Sequence, residues 1–159
     1  MNTSPRKPLE RSRPEPAPLT LARLEHALGF RLRMFEQSVT RSFARHMDPL
    51  ELTPSLYAIL VLIRDNPGCR QTTLSQALNM HQPNMVDRVG LLIERGLIVR
   101  REDPADRRAQ VLELSFAGRH FSEKVDAAHA AHAAELRCLL GSERFDALCE
   151  LIPLTLPEA

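Results

Sequence analysis

A mainly helical fold carrying one β-hairpin is predicted from three observations. Long amphipathic segments lie towards both ends of the chain, two short amphipathic helices sit at its centre, and two strand-like runs follow them around a charged turn. The central stretch, residues 71–115, organises the rest. Thr72 or Thr73 can cap a first short helix whose apolar residues are Leu74, Ala77 and Leu78. Asn79-Met80-His81 makes a tight break, and Pro83 suits the first turn of the next helix, where its missing N–H is no loss. Met85, Val86, Val89, Leu92 and Ile93 recur at helical spacing, so that face packs inward. Gln82, Asn84, Asp87, Arg88 and Leu91 are left on the other face, and Gly96 ends the helix as a C′ residue. Such a pair is a helix-turn-helix, its second helix shaped for a DNA major groove.

Residues 97–101 and 110–114 are the two strand-like runs, with apolar residues alternating in the second. Between them, residues 102–108 form a polar turn that carries the adjacent arginines Arg107 and Arg108. At this point the chain resembles the MarR family of winged helix-turn-helix regulators. That family's DP-x-DRR wing motif stands here as Asp103, Pro104, Asp106, Arg107 and Arg108. The ERGL run at 94–97, the Leu-x-Leu-Ser strand at 112–115 and Gly118 continue the match, which spans roughly residues 19–157. The resemblance implies a mainly α winged helix-turn-helix fold with long N- and C-terminal dimerisation helices and a two-stranded β wing.

Composition bounds the reading. A chain of 159 residues fits one domain with a real core. Its net charge of +1 would not suggest nucleic acid, yet the charge is unevenly spread. Residues 1–108 hold 17 Lys and Arg against 12 Asp and Glu, whereas residues 109–159 hold 4 against 8. Arginine supplies 19 of the 21 basic residues, which favours forked contacts to phosphate and guanine; a GC-rich genome would give the same bias. Cys69, Cys138 and Cys149 make an odd count without a CxxC pair, so neither a disulfide framework nor a zinc knuckle is indicated. No apolar run reaches the roughly 18 residues of a membrane span and no signal-peptide core follows the N-terminus, which predicts a cytoplasmic protein.

Taken in order, the chain begins with a proline- and arginine-rich segment, 1–18, read as a disordered tail. The domain follows at 19–157, with dimerisation helices at 19–47 and 116–157 around a DNA-binding lobe at 53–115. Leu21, Leu24, Leu28, Leu32, Phe35, Val39 and Phe43 fall three or four apart and predict one long helix to about residue 47, ended by Asp48-Pro49. Thr53-Pro54 caps the next helix, whose buried face is Leu56, Ile59, Leu60 and Ile63; Asn66-Pro67-Gly68 stops it. A second long helix runs from 116 to about 140 with an alanine-rich middle, 127–134, that suits close helix–helix approach. Gly141-Ser142 then breaks and caps a short last helix.

For base edges the candidates are Gln82, Asn84 and Arg88. Asp87 can accept from a cytosine amino group or orient Arg88, and Gly90, costly inside a helix, points to close packing or close backbone approach. Arg107 and Arg108 suit the negative potential of a minor groove, and the family resemblance implies that Asp106 braces Arg108. Arg31, Arg33, His46 and Tyr57 are the polar candidates for an effector cleft, with Arg41 a further basic residue of the first helix. By resemblance, repression is relieved when a small aromatic acid or an aromatic acyl-CoA thioester enters that cleft.

A homodimer on a near-palindromic double-stranded operator is therefore expected, with no membrane partner and no cofactor. His129, His132 and Glu135 share a helix but lack companion ligands, so no metal site is expected. Arg70 beside Cys69 can lower its thiol pKa, which leaves a thiol-responsive regulator as an alternative, together with a metal-responsive one and a winged-helix protein-interaction module. No nucleophile elbow, phosphate loop or spaced carboxylate pair indicates an enzyme.

Overall fold

The computed structural model describes residues 20–152, so the predicted tail at 1–18 and the final residues 153–159 lie outside the described residues. Two compact units are distinguished, Met1–Met34 and Phe35–Ala159. In the first, Leu24 N and Glu25 N bond Leu21 O at 2.7 and 3.0 Å in an isolated turn. Helix α1 (Leu28–Met47) starts only after it, not at residue 19 as the apolar stripe predicts. A helix draws most of its stability from the packing of its apolar face. Leu21, Leu24 and Leu28 all count among the exposed large apolar residues, Leu28 at 72%.

The second unit continues α1 and adds a single 3₁₀ turn (Asp48–Leu50), α2 (Pro54–Asp65), α3 (Gln71–Ala77), α4 (Gln82–Glu94), β1 (Ile98–Asp103), β2 (Asp106–Leu114), α5 (Phe116–Leu140) and α6 (Ser142–Leu151). Thr53 caps α2 as predicted, its Oγ1 accepting from Leu56 N at 3.3 Å, with Pro54 in the first turn. The cap of α3 differs. Arg70 holds that position without a side-chain bond, and Thr72 and Thr73 lie exposed inside the helix. Ala77 is likewise exposed, leaving Leu74 as the buried apolar residue of α3, beside the buried Ser75, and Leu78 half-buried after it. Gly141, at φ 82°, caps α6 in place of Ser142.

Buried side chains of α1, α2, α3, α4, both strands and α5 form one core, including Met47, Ile59, Leu60, Ile63, Met85, Val89, Leu92, Ile98, Leu112 and Val125. Strands β1 and β2 pair antiparallel, from Ile98 opposite Leu114 to Asp103 opposite Asp106. Cys69 extends this ladder by one bridge to Leu112: Gly68 N donates to Leu112 O at 3.0 Å and Leu112 N to Cys69 O at 2.9 Å.

The end of α4 fixes where the hairpin starts. Gly96 adopts φ 68°, its N–H bonds Ile93 O at 2.8 Å, and Leu97 N bonds Leu92 O at 2.9 Å, a Schellman ending that turns the chain into β1. The return strand is tied to the same point. Ser115 N donates to Leu97 O at 3.0 Å, Ser115 Oγ donates to Gly96 O at 2.6 Å, and the same oxygen caps α5 by accepting from Gly118 N at 2.8 Å. Gly118 packs directly on that carbonyl: an added Cβ would lie 1.8 Å from Leu97 O.

Gly118→Ala must therefore move backbone, and we expect a loss of about 3 kcal/mol or more, read from urea denaturation. Gly90 is the contrast. An added Cβ there meets nothing within 4 Å of the rest of the chain, so the expected close packing is absent, and Gly90→Ala should stabilise the DNA-free protein by about 1 kcal/mol.

Candidate nucleic-acid interface

Three residues fasten α4 to the core: Met85, Val89 and Leu92 are fully buried. Gln82, Asn84 and Asp87 are exposed on the opposite side, as the sequence predicts. Two assignments change. Val86, expected to pack inward, is 49% exposed, so with Leu91 at 47% it adds an apolar group to the free face. Arg88 sits at the edge of that face, half-buried, and its Nε is enclosed without a hydrogen-bond partner. Asp87 forms no ion pair with it among the described residues.

The wing is longer than predicted and its turn tighter. Only Pro104 and Ala105 lie outside the strands, which places Asp106, Arg107 and Arg108 at the start of β2, not in an open loop. A register irregularity between Glu102 and Asp103 accommodates the turn. Asp106 does contact Arg108, but through the backbone: its Oδ1 accepts from Arg108 N at 3.1 Å. The Arg108 side chain is exposed, while the Arg107 side chain lies outside what is described.

The aspartate that braces the wing to the rest of the lobe is Asp103. Its Oδ2 accepts from Arg70 Nη2 at 2.6 Å and Nε at 3.1 Å, and its Oδ1 accepts from Ala105 N at 2.9 Å. Asp103 is 14% exposed at its side chain, and the Arg70 guanidinium holds its carboxyl below the ordinary range. Arg70 is thereby committed to the wing. Cys69 beside it is half-buried, and burial pushes its thiol up, the reverse of the activation expected from the sequence.

A second cluster joins α1, α2 and α5. His46 Nε2 lies 2.7 Å from Glu135 Oε2, and Arg45 pairs with the other oxygen of the same carboxylate, which these bonds hold below its ordinary range. Tyr57 stacks on His129 with ring centroids 5.0 Å apart, and Phe43 stands edge-on to both Tyr57 and His132 at 5.5 Å. His132 is 6% exposed, its Nε2 has no hydrogen-bond partner, and burial lowers its pKa. The structure thus brings His46 and Tyr57 together and adds His129, His132 and Phe43, which the sequence did not assign to a cleft. Among the described residues no His, Cys, Asp and Glu group is arranged to hold a metal. Arg31 and Arg33 are exposed and belong to the separate unit at 1–34.

A helix-turn-helix with an exposed second helix and a braced hairpin matches known regulators. The MarR family profile matches residues 50–109. A transcriptional regulatory protein assigned to the hcr operon of Thauera aromatica is 38% identical over 113 residues, covering 67% of this chain and 68% of its own. The chain belongs to the MarR family of DNA-binding transcriptional regulators. Among solved structures, the transcriptional repressor CouR bound to a 23-mer DNA duplex is 32% identical with a TM-score of 0.79, over 85% of this chain and 96% of that one. CouR bound to p-coumaroyl-CoA is 30% identical with a TM-score of 0.75, over 84% and 94%. No helix among the described residues is long and apolar enough to cross a membrane.

The Asp103–Arg70 brace has a defined pH dependence. Because the folded carboxyl is depressed, its contribution is complete above the unfolded value of about 4 and is lost as pH falls through the lower folded value. Asp103→Asn should lower the melting temperature equally from pH 5 to 7, and the gap to the native protein should close in acid below about pH 4.

Proposed function

We propose that this MarR-family chain is a homodimeric cytoplasmic repressor, acting by binding and not by catalysis, that leaves a near-palindromic operator when an aromatic acyl-CoA thioester binds. The observation that carries this reading is the pair of CouR structures, one with DNA and one with p-coumaroyl-CoA, each matched over nearly its whole length. The geometry is in accord. Gln82 and Asn84 stand exposed in the first turn of α4 for base edges, and Val86 offers an apolar contact for a thymine methyl. Arg88, half-buried at the edge of the exposed face, would turn its guanidinium outward to meet a guanine edge. Arg107 and Arg108 would reach the flanking minor groove from the wing, held by the Asp106 bond to the Arg108 backbone.

Dimerisation would cover the apolar surface that one chain leaves open: Leu21, Leu24, Leu28 and Leu32 at one end, Leu139, Leu151 and Ile152 at the other. Phe43, Tyr57, His46 and His129 would line the aromatic end of the effector cleft. Tyr57, whose pKa is raised chiefly by burial, would keep its hydroxyl as a donor. Moving operator occupancy from 99:1 to 1:99 needs about 10⁴-fold differential affinity, more than one carboxylate contact readily provides. The free acid is the second candidate effector.

Gel-shift titration with p-coumaroyl-CoA and p-coumarate separates the two: the thioester should release DNA at lower concentration. Equal potency would remove the thioester and leave a simple aromatic acid. On the DNA side, Arg108→Ala should weaken operator and random duplex alike and reduce the salt slope by about one unit. Gln82→Ala or Asn84→Ala should instead erase about 1–3 kcal/mol of preference at particular base pairs.

A further inference from the structure

Arg95, the last residue of the recognition helix turn, is used neither for DNA nor for the effector in the reading above. It is the C-cap of α4, and its guanidinium turns away from the DNA-facing side chains to the junction between α1 and α2. Nη2 donates to Leu50 O at 2.8 Å and Nη1 to Glu51 O at 2.9 Å. These are the carbonyls at the end of the 3₁₀ turn Asp48–Leu50, where helical ends lack acceptors' partners of their own. The guanidinium carbon also lies 5.5 Å from the centre of the Phe121 ring on α5. One side chain thereby joins the recognition helix, the α1–α2 junction and α5.

The junction itself is poised to change. Glu51 adopts φ 52° and ψ 40°, a left-handed conformation uncommon outside glycine. It is held there by Glu51 N donating to Asp48 O at 2.9 Å and by the fork of Arg95 on the two carbonyls. The two flanking helices carry the candidate cleft residues: His46 is two residues before the 3₁₀ turn, and Tyr57 lies in the first turn of α2. A ligand seated between α1 and α2 therefore acts on the segment whose Leu50 and Glu51 carbonyls hold Arg95 at the end of α4.

We propose that Arg95 is the positioning residue that couples the effector cleft to the recognition helix, holding α4 in its DNA-competent attitude through the Leu50 and Glu51 carbonyls. The proposal rests on the effector-release reading above. By reciprocity, operator binding must then also tighten the α1–α2 junction. Arg95 acts through backbone position and touches neither DNA base nor effector.

The test compares the native protein with Arg95→Gln and Arg95→Lys. Operator affinity is measured by fluorescence anisotropy with and without p-coumaroyl-CoA, and amide exchange at residues 50–52 with and without operator. In the native protein the thioester should weaken operator binding by about 10⁴-fold, and operator should slow exchange at residues 50–52. Arg95→Gln should reduce the thioester factor at least tenfold and abolish the exchange response. Arg95→Lys, which keeps the charge but loses the planar fork, should give an intermediate factor. A merely structural role would lower the melting temperature and leave both responses intact. Should Arg95→Gln fail to fold, an unaltered factor and exchange response in Arg95→Lys would overturn the proposal. If the native protein is not released by thioester but shows the exchange response, and Arg95→Gln loses it, the effector reading fails and the coupling stands. Absence of that response in the native protein, or its persistence in Arg95→Gln, overturns the coupling.

Discussion

The carbonyl oxygen of Leu97 is the point on which the DNA-facing lobe is built. It accepts the Ser115 amide and lies against the bare Cα of Gly118, while Ser115 Oγ bonds Gly96 O and caps α5. Four residues thereby lock the end of the recognition helix, both strands of the wing and the start of α5 into one geometry. A side chain at 118 would drive α5 away from β1, and the separation of helix from wing would change with it. The helix and the hairpin are therefore presented as a single rigid reader, and such a reader keeps its contacts in register with a duplex whose grooves have fixed spacing.

Around that point the charges are divided between holding and reaching. Arg70 and Asp103 tie the wing to the start of α3, and Arg95 ties the end of α4 to the α1–α2 junction, so these arginines are occupied inside the protein. Arg108 is exposed and has no acceptor bound to its side chain among the described contacts, which suits a residue kept for phosphate or groove contact. The acidic partners Asp103 and Asp106 bind backbone or an internal arginine, and so place the wing without neutralising it.

Much of the lobe was legible because its signals are local. Thr53-Pro54, Asn79 through Pro83, Gly96 and Ser115 each act within one turn of their own position, and each element they bound is found where the spacing puts it. Val86 stands exposed because it adjoins the fully buried Met85 at the edge of the apolar stripe, and periodicity alone does not say how far the core reaches round a helix. Helix α1 was drawn too long because an apolar stripe shows what wants cover, not what supplies it in one chain. The Arg70–Asp103 pair spans 33 residues and the His46–Glu135 pair 89, separations at which no sequence pattern signals contact. Asp106 bonds the Arg108 amide and not its guanidinium, a contact set by the local turn and not by the side-chain pair that the family resemblance implies.

The aromatic cluster is chemically distinct from the wing. Its aromatic rings and imidazoles come from three helices, with the buried His132 beside the Glu135 ion pairs. The cluster lies on the two helices that flank the α1–α2 junction and on α5, and Arg95 ties that junction to the end of α4.

The central claim is that two copies of α4 and the wing read duplex DNA as a symmetric pair. Selection of binding sites from a random duplex library tests it most directly. The account predicts enrichment of an inverted repeat whose half-sites are centred about one helical turn, or 10–10.5 base pairs, apart. Recovery of sequences with no two-fold symmetry, or no enrichment over the starting library at low salt, would contradict it.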